Sequence, residues 1–352
     1  MKRYIFIAAV AVLAAACAKD SVKEVNRGQV IDFHTTMTRA SVTTTDNLQD
    51  IWVTATNTSE TNYYTDIQYS RNNDYFTSET AYYWPSDGST LDFYAYAPAK
   101  SDITGTISID KGTQTLTGFA PASDISSQVD FIVATASGCK DDSGTGVELV
   151  FDHALTSVEV KALNSNTGYV YKVKGMRICL VASEGDFDFK TKLWTTSASK
   201  TEYKVEYDTP RTLGTEAISL MASEGDNAML IPQKLTPWDI EDKTNENSGA
   251  FIAVLVNITT SAAGEEGTQV FPADAGEYDW IATPVDTEWS RGIRYTYNLD
   301  FKEGGLVAPD KEEDDPDAPF GPGEEVLGGT VRFTLDSSNF YWQSGSSESM
   351  TM

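Results

Sequence analysis

A chain of 352 residues with 52 acidic against 26 basic side chains carries a formal charge of −26, a surface that repels phosphate backbones and excludes nucleic acid as a partner. Its 40% hydrophobic content, with 17 Tyr, 15 Phe and 7 Trp, excludes a disordered chain and tilts the composition toward β structure. Two histidines and three cysteines are too few for a His- or Cys-rich transition-metal site or a disulfide framework, and no cofactor is expected.

Lys2 and Arg3 precede an apolar run from Tyr4 to Ala16 that stops at Cys17. The run is too short to span a bilayer and fits the core of a secretory signal. Ala14, Ala15 and Ala16 directly before Cys17 resemble the lipobox of bacterial lipoproteins, although Leu13 lies one place earlier than the usual aliphatic position. Residues 1–17 therefore read as a signal peptide ending at a lipidated Cys17, and 18–27 as a polar tether. Such a chain is exported and membrane-attached, with the cell outer membrane as the expected site.

A first domain is expected over 28–144. Its opening strand places Ile31, Phe33 and Thr35 on one face and Asp32, His34 and Thr36 on the other. Arg39 follows in a Ser/Thr-rich segment as the only basic residue between Arg27 and Arg71. A strand that ends at an isolated arginine could be cut away after folding, leaving Ala40 as the new N-terminus. Further strands are expected at Ile51–Thr56, Tyr63–Tyr69, Tyr75–Trp84, Leu91–Pro98, Thr106–Asp110, Gln114–Phe119 and Val129–Ala134. Lys111-Gly112 reads as a hairpin turn. In Leu91–Pro98 the pattern points Leu91, Phe93, Ala95 and Ala97 inward and Asp92, Tyr94 and Tyr96 outward. The tyrosines would suit a sugar-stacking platform, but strand propensity explains them more simply.

A second domain is expected over 145–302, with strands on both sides of a break near His153 and others at Tyr169–Val181, Ile218–Met221, Met229–Gln233, Phe251–Thr259, Glu277–Ile281 and Gly292–Phe301. Tyr295, Tyr297, Leu299 and Phe301 share a face in the last of these. His153 reads as a hydrogen-bonded structural histidine. Ala-Ser-Glu-Gly-Asp occurs at 182–186 and again at 222–226; calcium is the sharp reading, recurrent turn chemistry after a strand the simpler one. Cys139 and Cys179 fit either a disulfide or two free thiols.

Residues 303–329 change to an acidic, Pro/Gly-rich linker. In 330–352 order returns, with Val331, Phe333 and Leu335 on one face of a strand, followed by Phe340-Tyr341-Trp342. A strand hung on a linker forms no core alone, so it folds back on its own domain or completes a neighbour. The second suits a polymerising subunit and accounts for the long linker.

Several motifs, in order, resemble the fimbrillin-like pilins and pilus-associated lipoproteins of Bacteroidetes, the type V pilus system. They are the lipobox at Cys17, Ile31-Asp32-Phe33 leading to Thr38-Arg39-Ala40, Tyr83-Trp84-Pro85, Leu91 to Pro98, Val129 to Ala134, Val150 to Leu155, Met229 to Gln233 and Gly292 to Tyr297. The resemblance implies an all-β protein of two tandem transthyretin-like antiparallel β-sandwich domains with a flexible, strand-bearing C-terminal tail. It implies a fimbrial subunit serving cell adhesion, exported as a lipoprotein. A surface protease would cut between Arg39 and Ala40 and remove the strand of Ile31 and Phe33. The donor strand of Val331, Phe333 and Leu335 from another subunit would then fill the open groove. Arg27 is the second cut candidate, but a cut there leaves the strand in place. Expected partners are other pilin subunits, the outer membrane through lipid before processing, and a host or bacterial surface receptor; the fimbrium at the cell surface is the final location. The alternatives are a glycan-binding surface lipoprotein and a pilus anchor or tip protein. No nucleophile–base pair, metal cluster or phosphate loop stands in the sequence, and an enzyme is not expected.

Overall fold

The computed structural model describes residues 30–37, 48–57, 62–140, 146–223, 225–240, 248–262, 265–310, 320–339 and 348–350. Among the described residues the ordered elements are strands, with a turn of 3-10 helix at Ile125–Ser127. Its first nine strands are β1 (Phe33–Met37), β2 (Asp50–Asn57), β3 (Asn62–Asn72), β4 (Tyr75–Thr77), β5 (Leu91–Ala97), β6 (Thr106–Ile109), β7 (Gln114–Phe119), β8 (Ile132–Gly138) and β9 (Val147–His153). Seven of them close into a barrel in the order β1-β4-β3-β2-β5-β8-β9. Alternation builds its interior: Ile51 and Val53 on β2, Leu91, Phe93 and Ala95 on β5, and Leu149 and Phe151 on β9 all point inward.

Fifteen further strands follow among the described residues. They are β10 (Thr156–Leu163), β11 (Tyr169–Ala182), β12 (Gly185–Asp188), β13 (Leu193–Thr196), β14 (Lys200–Thr212), β15 (Ile218–Ser219), β16 (Ala228–Leu230), β17 (Phe251–Ala262), β18 (Glu265–Phe271), β19 (Asp279–Pro284), β20 (Ile293–Asp300), β21 (Gly305–Val307), β22 (Glu325–Val326), β23 (Arg332–Asn339) and β24 (Glu348–Met350). Two sheets form the second unit: β10, β15, β16, β20, β23 and β24 in one, β11, β14, β17, β18, β19, β21 and β22 in the other. Val158 and Val160, Met176 and Ile178, Ile252 and Val254 fill the core between them. Tyr295, Tyr297, Leu299 and Phe301 all point into it, as their shared face predicts.

The sheets are antiparallel with two exceptions in matching places. In each unit the first strand runs parallel to a later one: β1 along β9, and β10 along β20. The strand Val147–His153 pairs with β8 and β1, so it completes the first barrel, and the junction expected at 144/145 moves to residues 154–155. Alternation is the same on both sides of His153 and does not name the sheet a strand joins. The expected strand Tyr75–Trp84 is ordered as strand only over Tyr75–Thr77, and its remainder is a loop. The expected linker also starts too early. Its Gly305–Val307 is a buried apolar strand on β19, Ala308 is buried after it, and Val326 of β22 packs into the second core.

The units share structure. β6 and β7 leave the barrel and pair with β12 and β13 in a four-stranded sheet, Phe187 opposite Leu116. Beneath it the rings of Tyr96, Phe119, Phe131, Phe187, Phe189 and Trp194 interlock at centroid separations of 5.1–6.4 Å. Tyr96, expected outward, is therefore 1% exposed, because this sheet covers the outer face of β5. Ile125 is buried in the second unit's core, and the Met229 N–H donates to the Gln128 side chain at 2.7 Å.

Candidate functional site

β1 is short, and with the two residues just ahead of it the 31–37 segment carries two core residues. Ile31 and Phe33 are fully buried. The Phe33 ring meets Tyr69 at 4.8 Å and Phe93 at 5.1 Å, both edge-on. Burying each of the two side chains contributes about 1.5–3 kcal/mol. β1 pairs in parallel with β9 from Phe33 against Val147 to Met37 against Phe151, but meets β4 at one register pair, Phe33 against Phe76. The 78–84 loop holds its start: the Ile31 N–H donates to Tyr82 O at 2.7 Å, and Val30 bridges Tyr83. On the other side the Val147 N–H donates to Asp32 O at 3.0 Å. Gly146 adopts φ +81, and a Cβ there would lie 3.2 Å from Asp32 O, so the chain passes β1 closely.

The residue just ahead of β1, on its outward side, holds a feature that alternation does not disclose. Asp32 is 6% exposed, and burial pushes its carboxyl above the usual carboxylate range. Further along, the Thr36 hydroxyl donates to Glu148 at 3.1 Å on an exposed surface.

At the other end, β23 lies antiparallel on β20, from Ile293 against Asn339 to Asp300 against Arg332. Val331 and Leu335 are buried, and the half-buried Phe333 meets the Tyr297 ring at 5.9 Å. Arg332 grips Glu303 through two contacts of 3.0 and 2.7 Å, and the Asn298 amide donates to Asp336 at 3.0 Å. Of the two placements open to this strand, the structure shows the fold-back on its own unit. Upstream, Asp310 pairs at 2.7 Å with Arg177, whose guanidinium also reaches Glu202 at 3.1 Å and lies 4.4 Å over the Trp280 ring. Leu306, Val307 and Ala308 were the available signal for this anchoring, an apolar run inside an otherwise acidic stretch.

Ile31 and Phe33 thus fall together in one slot, and Phe333 and Leu335 along one ladder on the other unit, with Val331 buried just ahead of it. Cys17, the tether 18–27, Arg39 and Ala40, and Phe340-Tyr341-Trp342 lie outside the described residues. His153 Nδ1 sits 2.8–2.9 Å from the Asp130 carboxylate, a structural pairing at the unit junction. No disulfide joins Cys139 and Cys179, and burial pushes the Cys179 thiol well up. The two Ala-Ser-Glu-Gly-Asp copies diverge: Gly185 and Asp186 enter β12, whereas Gly225 sits in a turn with φ +91. Among the described residues no group of His, Cys, Asp and Glu is disposed to hold a metal ion.

A fimbrial protein from Bacteroides vulgatus has a similar fold, with a TM-score of 0.59 at 15% identity over 87% of this chain and 98% of its own. The fimbrial anchor protein Mfa2 from Porphyromonas gingivalis aligns over 88% of this chain and 98% of its own at 10% identity, with a TM-score of 0.33. No curated protein sequence matches. The sequence profile of the fimbrillin-like family matches residues 38–313, a span that begins just after β1 and ends before β23. The chain belongs to the fimbrillin-like family.

Proposed function

We propose that the protein is a non-enzymatic structural subunit of a surface fimbrium, exported as a lipoprotein through Cys17 and polymerised by strand exchange. Cleavage between Arg39 and Ala40 would free the segment that carries β1. The slot between β4 and β9 would then receive β23 of another subunit, and backbone hydrogen bonds and alternating side chains would hold it. The polymer would serve adhesion at the cell surface and engage a receptor there. The observation that carries this reading is the 31–37 segment itself: Ile31 and Phe33 are fully buried, yet β1 joins the barrel through one ladder on β9 and a single register pair on β4.

Intact mass and N-terminal sequencing of surface material test it. Polymer chains that begin at Ala40 are expected. A lipidated Cys17 start in every surface copy would overturn the polymerising role. The fold-back of β23 favours a second reading, a terminal anchor or tip subunit that keeps its own strand, and the lipidated start would fit the anchor.

A further inference from the structure

We infer that β23 of a second copy enters the slot antiparallel to β9, reversed relative to the β1 it replaces, with Phe333 in the place of Phe33. The inference rests on the reading of β1 as a displaceable strand.

Phe33 fills the aromatic pocket at the centre of the slot, and Phe333 is the one aromatic residue of β23. Placing one on the other fixes the register and leaves two directions. In the parallel direction of β1, Arg332 falls on the site of Asp32, and Thr334 falls opposite Glu148. In the reversed direction Thr334 takes the site of Asp32 and Arg332 faces Glu148. Leu335 then fills the Ile31 pocket, and Val331 takes the half-buried place of Thr35.

Three observations choose the reversed direction. The Asp32 site is 6% exposed and is passed closely by Gly146, so it suits a compact neutral threonine and not a guanidinium. Glu148 is exposed on β9 and carries the charge that Arg332 would meet across the ladder, where opposite charges attract. Finally, β23 already runs antiparallel to β20, and β20 holds in its unit the place of β9, alongside and parallel to the first strand. Reversal turns the five-pair ladder on β9 antiparallel, the slightly more stable kind, at the expense of the single antiparallel pair on β4.

The test uses two populations of the full chain, both cleaved after Arg39, which removes Cys17, and both with Cys139 and Cys179 replaced by Ser. One carries Glu148→Cys; the other carries Arg332→Cys or Thr334→Cys. Residues opposed across a ladder lie within disulfide reach. Mixed polymers should cross-link under mild oxidation with Arg332→Cys and stay uncross-linked with Thr334→Cys. The opposite pattern, or polymers that cross-link with neither, overturns the inference while leaving strand exchange standing. No mixed polymer with any variant removes the underlying reading and the inference with it.

Discussion

Phe33 meets Tyr69 edge-on, with ring centroids 4.8 Å apart and planes at 80°, so a strand near the N-terminus supplies the centre of the first barrel's core. Replacement by alanine removes that ring from between Tyr69 and Phe93. Phe33→Ala should lower the stability of the intact chain by about 3–5 kcal/mol. Urea unfolding measures it, and a loss below about 1 kcal/mol would mean that the slot holds together without its central ring.

Asp32, immediately before Phe33, makes the same segment imperfect. Its carboxyl titrates above the ordinary 3.8 because burial disfavours the charge. Between the ordinary and the raised pKa the folded chain binds more protons than the unfolded one, so stability falls as pH rises through that window. Tyr69, which faces the slot, is pushed up to about 12 by burial and stays neutral there. Asp32→Asn should therefore be more stable than the parent at neutral pH. The difference should shrink as pH falls toward 3.8. Paired urea titrations across the acid range check this, and an advantage independent of pH would contradict it.

How far these features could be read from the residues depends on what alternation encodes. Ile31 and Phe33, or Tyr295 through Phe301, disclose their inward face because period two follows directly from strand geometry. The partner sheet is not encoded there, so β9 read as the start of the second unit and Tyr96 as an outward residue. β14 was missed although Tyr203, Val205 and Tyr207 alternate with Glu202, Lys204 and Glu206, because the charged face hid a legible pattern. The repeated Ala-Ser-Glu-Gly-Asp shows the converse limit. At Gly185 a Cβ would lie 3.0 Å from Thr195 O, so tertiary pairing decides its conformation and identical residues at 222–226 follow another course.

Arg177 ties the C-terminal segment to the second unit. It is 9% exposed, with Glu202 and Asp310 as partners and Trp280 beneath it. Arg177→Ala leaves both carboxylates without their cation and removes the stacking, a loss of about 2 kcal/mol. The local signature is sharper than the global one. The Ala308 N–H donates to Trp280 O at 3.0 Å, and its amide exchange should accelerate in the variant. Unchanged exchange at Ala308 would show that β21 holds this segment without the arginine.

The shared sheet should make the two units one unfolding system. Phe187 is fully buried, packs against Phe131 at 6.1 Å, Phe189 at 5.5 Å and Trp194 at 5.1 Å, and lies opposite Leu116 of the first unit. Its side chain therefore serves both units at once. Phe187→Ala should cost about 3–5 kcal/mol and, beyond that loss, weaken the coupling between them. Calorimetry of the parent should give a single transition, and that of the variant two resolved ones, because each unit retains a core of its own. A single transition in the variant, merely shifted to lower temperature, would assign the coupling to Ile125 and the Gln128–Met229 hydrogen bond instead.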